Sequence, residues 1–214
     1  MSQICYVWDE ACNSVTAIAY SPVQIQPSPP DKPKLSTDEL VTPPPSKHHW
    51  QPSQPDEPKF YYFAYGSCMC PVDLKRSLGE NVCPYIIGPA LLSGYRLGFY
   101  RKSIRRDCGV LDIVPDRARS VHGVLYHLPL RLSEPLDLRE EVPNNGYRHE
   151  TITVQRDRMQ YRNVRTYVVV DKLNREVAPN DWYFNVVLRG AVTCGLPEHY
   201  CWQLFDWMYK LQQA

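Results

Sequence analysis

The chain has 214 residues, and its 24 Lys and Arg residues against 23 Asp and Glu residues give a formal net charge of +1. This near balance argues against a dedicated nucleic-acid-binding protein, which needs a basic surface. No apolar run approaches the ~20 residues that span a bilayer, so no membrane segment is predicted. The first basic residue is Lys32, and Asp9 and Glu10 interrupt the first apolar stretch. The sequence therefore predicts no secretory signal peptide and a cytoplasmic location.

The first 59 residues differ in composition from the remainder. They hold 11 of the 20 prolines and none of the 10 glycines. Proline-rich chain lacks backbone donors and favours extended, solvated conformations. Few apolar side chains are present here to offset the ordering entropy of about 1–2 kcal/mol per residue. Residues 1–59 are therefore predicted to be a largely disordered tail, with a short hairpin of residues 4–8 and 15–20 as the alternative for its beginning.

From Phe60 onward the pattern is that of a folded domain, predicted to comprise residues 60–214. Alternation of apolar and polar residues predicts strands, and these are 60–65, 85–92, 95–100, 109–114, 121–128, 147–154 and 165–170. Helices are predicted at 71–78, with Val72 and Leu74 facing the core, for a turn or two within 132–141, at 179–193 and at 198–211. Consecutive strands without intervening helices favour antiparallel pairing. We therefore predict an α+β fold that is mostly β, with a few helices appended.

The eight cysteines suggest metal binding, but their spacing does not support it. The sequence has no Cys-x-x-Cys pair and no His at zinc-finger spacing, so no metal site is predicted. Cys68 and Cys70 follow the Gly66-Ser67 turn at the start of a helix, where a thiol pKa is lowered and the thiolate becomes nucleophilic. A Cys68 nucleophile therefore stays open, with a base among His122, His127 and His149.

Two segments carry stronger signals for a ligand site. Residues 62–69 form an apolar strand that breaks at Gly66-Ser67 and runs into a helix, which presents free backbone N–H groups to an anion. Residues 136–143 end a short helix with Glu140 and Glu141, and a carboxylate that faces an apolar pocket can serve as acid or base. Taken singly, the first segment is better explained as a plain β-to-α turn and the second as a solvated turn.

Together and in this order, the two segments resemble the γ-glutamylcyclotransferase family. Residues 62–67 are similar to the family's Tyr-Gly-Ser-Asn signature on its first strand. Leu136-Asp137-x-x-Glu140-x-Val142 is similar to its Leu-Asp-x-x-Glu-Gly-Val segment. Further similarities are the strand 123–126, Tyr147, the strand of Tyr167, Tyr183, Gly195-Leu196-Pro197 and Tyr200. The resemblance covers roughly residues 60–211, which is the folded part of the chain and none of the tail.

This resemblance implies a mixed β-barrel with flanking helices and a pocket at its mouth. It also implies an enzyme without metal or organic cofactor that cyclises a γ-glutamyl compound to 5-oxoproline and releases an amino acid or amine. The family's Glu falls on Glu140, which would deprotonate the α-ammonium group and then protonate the departing nitrogen. The pocket tyrosine that matches Tyr183 could instead be a core aromatic residue. The implied substrate-binding residues are Tyr65, Gly66, Ser67, Cys68 and Tyr183.

The sequence departs from the family pattern at two positions. Cys68 stands where the family has Asn, which is tolerable if that residue acts through its backbone N–H and shifts specificity if its amide contacts substrate. Glu141 stands where the family has Gly, and would either perturb the adjacent carboxylate or point to solvent.

A basic cluster and two histidines near the implied site have ordinary explanations. The cluster Arg101, Lys102, Arg105 and Arg106 is predicted to be a solvated hairpin loop, with attraction of a substrate carboxylate as the alternative. His122 and His149 lie in strand patterns and are predicted to be structural.

Three functions remain open from the sequence. The leading one is a γ-glutamylcyclotransferase that acts through Glu140 on a small γ-glutamyl amino acid, glutathione or a γ-glutamyl amine. The second is a non-catalytic ligand-binding or interaction protein on the same fold, and the third is a Cys68-dependent thiol hydrolase. Trp202 and Trp207 on the last helix could leave a face for a homodimer. The proline-rich tail could bind a protein domain with an aromatic groove.

Overall fold

The computed structural model describes residues 57–214 and the backbone of two strands near the beginning of the chain. These are β1 (Gln3–Asp9) and β2 (Ser14–Tyr20), which pair antiparallel with Gln3 opposite Tyr20 and Asp9 opposite Ser14. They match the hairpin alternative for the beginning of the tail. The prediction of a disordered proline-rich segment over residues 21–56 lies outside the described residues.

Five further strands close into a barrel, which confirms the predicted mixed β architecture. Their order around the barrel is β3-β5-β4-β6-β7. All neighbours pair antiparallel except β3 and β7, whose parallel contact of Tyr62 with Arg165 closes the barrel. The strands are β3 (Lys59–Ala64), β4 (Ile86–Ser103), β5 (Cys108–Pro129), β6 (Tyr147–Arg156) and β7 (Met159–Val169).

β4 and β5 are each one long strand where the sequence predicted two. The predicted break in β4 falls at Gly94, which has a φ of 83° and lies between two register positions of the ladder. On one side Ser93 pairs with Ser120, and on the other Tyr95 pairs with Pro115. One residue of β4 therefore lies opposite four unpaired residues of β5, 116–119, and the ladder resumes beyond this irregularity without ending either strand.

Within residues 57–214, four α-helices flank the barrel: α1 (Pro71–Leu78), α2 (Ser133–Arg139), α3 (Asp181–Thr193) and α4 (Glu198–Gln213). The inward assignment of Leu74 is correct, but that of Val72 is wrong, since Val72 is 47% exposed. Residues two apart on a helix point about 200° apart, so both cannot face one core. No helix in the described part of the chain is long and apolar enough to cross a membrane.

α4 buries Leu204 and Met208 in the hydrophobic core. The two tryptophans that the sequence assigned to a dimer face differ in their surroundings. Trp207 packs against Phe99 with ring centroids 4.9 Å apart, whereas Trp202 is 63% exposed. The exposed aromatic face of α4 therefore consists of Trp202 with Phe205 and Tyr209, and Trp207 belongs to the core packing.

Asn180 starts α3 and connects it to the turn between β4 and β5. Its Oδ1 accepts the Tyr183 backbone N–H at 2.9 Å, and its Nδ2 donates to the Arg106 carbonyl at 2.9 Å. We expect Asn180→Ala to lower the free energy of unfolding by about 1–2 kcal/mol, because a helix cap and a tertiary hydrogen bond are both lost. Urea denaturation checks this, with Asn180→Ser as a control that keeps a capping oxygen and should lose less. Equal losses in both variants would contradict the capping role.

Candidate active site

A cleft that opens to solvent lies where the end of β3, the β4–β5 turn, the end of α2 and the start of α3 meet. The sequence placed six residues at a site from separate parts of the chain. The fold brings all six to this cleft, and they are Tyr65, Gly66, Ser67, Cys68, Glu140 and Tyr183.

The loop after β3 is held in one conformation by its own backbone and by two packed elements. Residues Ser67–Met69 form a 3-10 turn, in which Met69 donates its N–H to the Gly66 carbonyl at 3.0 Å. The Tyr126 hydroxyl donates to the Met69 carbonyl at 3.0 Å. On the other side, a Cβ added to Gly190 of α3 would lie 2.5 Å from the Cys70 nitrogen. Only glycine at that position lets α3 approach the loop so closely.

Glu140 directly follows α2 and directs its carboxylate toward this loop. Its backbone N–H donates to the Leu136 carbonyl at 3.0 Å, which ends the helix. Its Oε1 accepts the Cys68 thiol at 2.9 Å and lies 3.8 Å from the Arg139 Nε. The side chain is 15% exposed, so the carboxylate is largely enclosed and remains open to the cleft. Its surroundings are polar and cationic, unlike the mostly apolar pocket that the sequence suggested.

Arg139 is a buried cation behind the loop, with a side chain only 4% exposed. Its Nη2 donates to the Asp73 Oδ2 of α1 at 2.5 Å and to the Ser67 Oγ at 3.1 Å. Its Nε donates to the Cys68 Sγ at 2.9 Å. The guanidinium group also hydrogen-bonds the Ser77 hydroxyl. It therefore joins α1, α2 and the loop and compensates the charge of a carboxylate that is itself buried.

Cys68 is a neutral thiol that donates a hydrogen bond to Glu140. Burial raises its pKa from 9.0 to about 12; the Arg139 guanidinium opposes this rise, and Glu140 adds to it. The expected lowering of the thiol pKa at a helix start is therefore wrong, because desolvation outweighs both the turn and the neighbouring cation. The histidines considered as its base also have other partners: His127 stacks on Tyr61, and His149 binds Asp137 at 2.6 Å.

The state of this thiol predicts its reactivity. A rise in pKa from 9.0 to about 12 lowers the thiolate fraction at neutral pH roughly a thousandfold. We expect Cys68 in the folded chain to resist iodoacetamide at pH 7–8, while the exposed Cys83 reacts. Peptide mapping by mass spectrometry after timed alkylation checks this, with the denatured chain as the control in which both thiols react. Modification of Cys68 at the rate of Cys83 in the folded protein would contradict a buried, protonated thiol.

Tyr183 extends from the first turn of α3 to the base of the cleft. Its hydroxyl oxygen accepts the Leu111 backbone N–H at 3.0 Å, and burial raises its pKa. A Cβ added to Gly66 would lie 3.0 Å from that hydroxyl, so glycine there makes room for the tyrosine. The hydroxyl proton is thus free to be donated into the cleft, which keeps open the substrate contact that the resemblance implied.

The Glu141 carboxylate is neither free in solvent nor paired against the Glu140 carboxylate, because each has its own partner. Its backbone is in the left-handed region, with φ 54°, which turns its side chain away from that of its neighbour. Its Oε2 pairs with the Arg101 Nη2, and Arg101 Nη1 donates to the Gly146 carbonyl at 3.3 Å. The extra carboxylate that departs from the family pattern is therefore compensated by Arg101 of β4.

The basic cluster does not behave as one solvated loop. Arg101 and Arg106 line the cleft, so the solvated interpretation is wrong for both. Lys102 pairs with Asp107 at 2.8 Å, and Arg105 is exposed. The sequence pattern could not separate the four, because which of them turns inward depends on the bend of β4 and on the turn that follows it.

The residues that sequence reasoning missed are mainly cationic and aromatic. Arg139 hydrogen-bonds residues of both the loop after β3 and α1. Its only sequence signal is its position directly before Glu140. Tyr147 and Tyr167 also line the cleft, where Tyr147 donates its hydroxyl to the Leu111 carbonyl at 2.9 Å. Both tyrosines lie in segments that carried the family resemblance, which is the signal that could have identified them. His122 packs against Tyr200 of α4, with the two rings tilted by 57°, and is not among the cleft residues.

The sequence of this domain is similar to a known protein family and to a curated protein. Residues 120–204 match the model of the AIG2-like family. Over 152 residues the chain is 32% identical to a Bacillus subtilis (strain 168) protein named "Putative gamma-glutamylcyclotransferase YkqA". The match covers 71% of this chain and 53% of YkqA, so the chain spans about half the length of that curated relative.

Solved structures agree with this relationship. The crystal structure of YkqA from Bacillus subtilis superposes with a TM-score of 0.66 at 30% identity, covering 72% of this chain and 55% of that one. A structure titled gamma-glutamyl cyclotransferase gives 0.62 at 22% identity, covering 69% and 86%, and at that identity it shows the fold alone. The resemblance read from the sequence is therefore confirmed. The described domain has the γ-glutamylcyclotransferase-like fold and is homologous to YkqA.

Proposed function

We propose that this chain is a γ-glutamylcyclotransferase-type enzyme that converts a γ-glutamyl compound into 5-oxoproline and a free amino acid or amine. The observation that carries the proposal is the contact between Cys68 and Glu140, which are 72 residues apart in the chain and 2.9 Å apart at Sγ and Oε1. It sets a carboxylate beside a loop of backbone donors at the edge of one cleft. The proposal is also supported by the names of the similar proteins, YkqA and the solved gamma-glutamyl cyclotransferase, which share this fold.

The reaction needs one group that first removes and then returns a proton. The α-amino nitrogen of the substrate attacks its own γ-carbonyl carbon, a new C–N bond closes the five-membered ring, and the bond to the leaving nitrogen breaks. Glu140 accepts the proton from the attacking nitrogen and delivers it to the leaving nitrogen. No oxidant, reductant or hydrolytic water takes part, so the residues of the cleft suffice for the chemistry.

The loop after β3 supplies the complementary electrostatics. The first N–H groups of a helical turn have no partner within that turn, so those of Ser67 and Cys68 can bind the glutamyl carboxylate and the developing oxyanion. A backbone donor is the same in Cys and Asn, so Cys68 is compatible with this role. Its thiol adds a hydrogen bond to Glu140, and Arg139 holds the loop from behind.

Positioning supplies much of the remaining acceleration. Ring closure is intramolecular, and a glutamyl chain held in a curled conformation reacts with an effective concentration far above that of a free amine. The aromatic side chains of Tyr65, Tyr147 and Tyr183 enclose the cleft and restrict such a chain.

The test is 5-oxoproline release by the full chain from γ-glutamyl-alanine, glutathione and γ-glutamyl-lysine. We expect release from at least one of the three and retention of that activity in Cys68→Ser. A Cys68 hydrolase would lose its activity in Cys68→Ser and would release glutamate, which the same chromatographic assay separates. A folded wild-type chain that releases 5-oxoproline from none of the substrates would contradict the proposal and favour a non-catalytic ligand-binding protein.

A further inference from the structure

Arg106 has contacts through both its backbone and its side chain at the wall of the cleft, although it lies in a surface turn between β4 and β5. Its N–H donates to the Ser103 Oγ at 3.3 Å, and its carbonyl accepts the Asn180 Nδ2 at 2.9 Å. Its guanidinium group lies over the Trp182 ring, 5.4 Å from the centroid. Backbone and side chain are therefore both positioned before any ligand arrives.

The other arginines of the cleft already have anionic partners. Arg101 pairs with Glu141, and Arg139 pairs with Asp73. In the part of the chain that the structure describes, Arg106 makes no ion pair, and its Nε is buried without a hydrogen-bond partner. A buried polar atom without a partner costs free energy unless a ligand or water satisfies it. The cleft thus presents one carboxylate for chemistry, Glu140, and one uncompensated cation, Arg106.

A γ-glutamyl amino acid carries three ionic groups, and the cleft offers a counterpart for each. The α-ammonium group belongs at Glu140, which must deprotonate it, and the α-carboxylate belongs at the N–H groups of the loop after β3. The third group is the carboxylate of the departing amino acid. Arg106 lies in the β4–β5 turn and contacts α3, whereas the donors for the glutamyl part lie in the loop after β3. Arg106 can therefore bind the departing part of the substrate while the loop binds the glutamyl part.

We propose that Arg106 binds the carboxylate of the leaving group and selects γ-glutamyl amino acids or peptides over γ-glutamyl amines. This inference rests on the proposed cyclisation at the same cleft. A guanidinium group binds a carboxylate through two parallel hydrogen bonds, and this geometry distinguishes a carboxylate from a neutral or absent group. The side chain already rests on Trp182, so little conformational entropy is lost on binding.

The test compares two substrates that differ only in this carboxylate, γ-glutamyl-alanine and γ-glutamyl-ethylamide. Values of kcat/KM are measured by 5-oxoproline release for the wild-type chain, Arg106→Gln and Arg105→Gln. The last is a matched control, because Arg105 is the exposed neighbour of the same charge. We expect Arg106→Gln to lower kcat/KM for γ-glutamyl-alanine roughly 10- to 100-fold and to leave the ethylamide within about twofold. Arg105→Gln should change neither value.

The possible outcomes separate this inference from the proposed function. An equal loss with both substrates would overturn it, because Arg106 would then bind the glutamyl carboxylate or support the fold. Unchanged activity of Arg106→Gln with both substrates would overturn it as well. A folded wild type that releases 5-oxoproline from neither of these two substrates, nor from glutathione or γ-glutamyl-lysine, would instead refute the cyclisation itself.

Discussion

Replacement of Glu140 with Gln should reduce 5-oxoproline formation by about 10²–10⁴-fold in kcat while the chain remains folded. Gln keeps the size and an acceptor oxygen for the Cys68 thiol but cannot take and return a proton. Steady-state kinetics on whichever γ-glutamyl compound the wild type prefers measures this effect. Circular dichroism and the urea midpoint establish that the variant is folded.

Two matched variants make this result specific to Glu140. Glu134→Gln applies the same chemical change to an exposed position of α2 and should leave kcat unchanged. Glu141→Gln tests whether the adjacent glutamate could transfer the proton instead, and we expect a smaller loss, because the Glu141 carboxylate is paired with Arg101. A larger loss in Glu141→Gln than in Glu140→Gln would transfer the proton-transfer role to Glu141.

Replacement of Arg139 with Met should cost about 3–5 kcal/mol of unfolding free energy, the largest stability effect that we expect in this domain. The Arg139 and Asp73 side chains are 4% and 8% exposed. Removal of the cation therefore leaves a desolvated carboxylate and two hydroxyl groups without their donor. Urea denaturation of the variant measures the loss.

A double variant separates charge burial from positioning. Arg139→Met combined with Asp73→Leu removes both charges and should recover most of the lost stability. It should not recover activity, because the loop residues Ser67 and Cys68 still lack the donor that holds them. A single variant that loses less than about 1 kcal/mol would contradict the buried ion pair, and full activity in the double variant would contradict the positioning role.

The local motifs of the site could be predicted because each is contiguous in the sequence. The segments around Gly66 and Glu140 carry short patterns whose geometry is set by a turn and a helix end. Their meeting was predicted only through the resemblance to a family, since nothing in their spacing shows that residues 72 positions apart are in contact. The strand pattern also predicted the β architecture, although it ended a strand before Gly94, where the ladder only shifts its register and β4 continues.

The ionic pairing of the cleft could not be predicted from the sequence. Arg139 beside two glutamates at a helix end is typical of a solvated surface, and its burial depends on the packing of α1 against α2. The inward turn of Arg106 depends on Asn180, which lies 74 residues further along the chain. The partner of Glu141 depends on a left-handed backbone conformation at a non-glycine residue. These are tertiary effects that residue type and spacing do not encode.

The most direct test of the central claim is the oxygen content of the product formed in water enriched in ¹⁸O. Intramolecular attack by the α-amine takes no oxygen from solvent, whereas any hydrolysis adds one solvent oxygen to the released glutamate. Mass spectrometry of the reaction of the full chain with γ-glutamyl-alanine should show unlabelled 5-oxoproline and alanine in equal amounts. Singly labelled glutamate would contradict cyclisation at Glu140 and establish a hydrolase in its place.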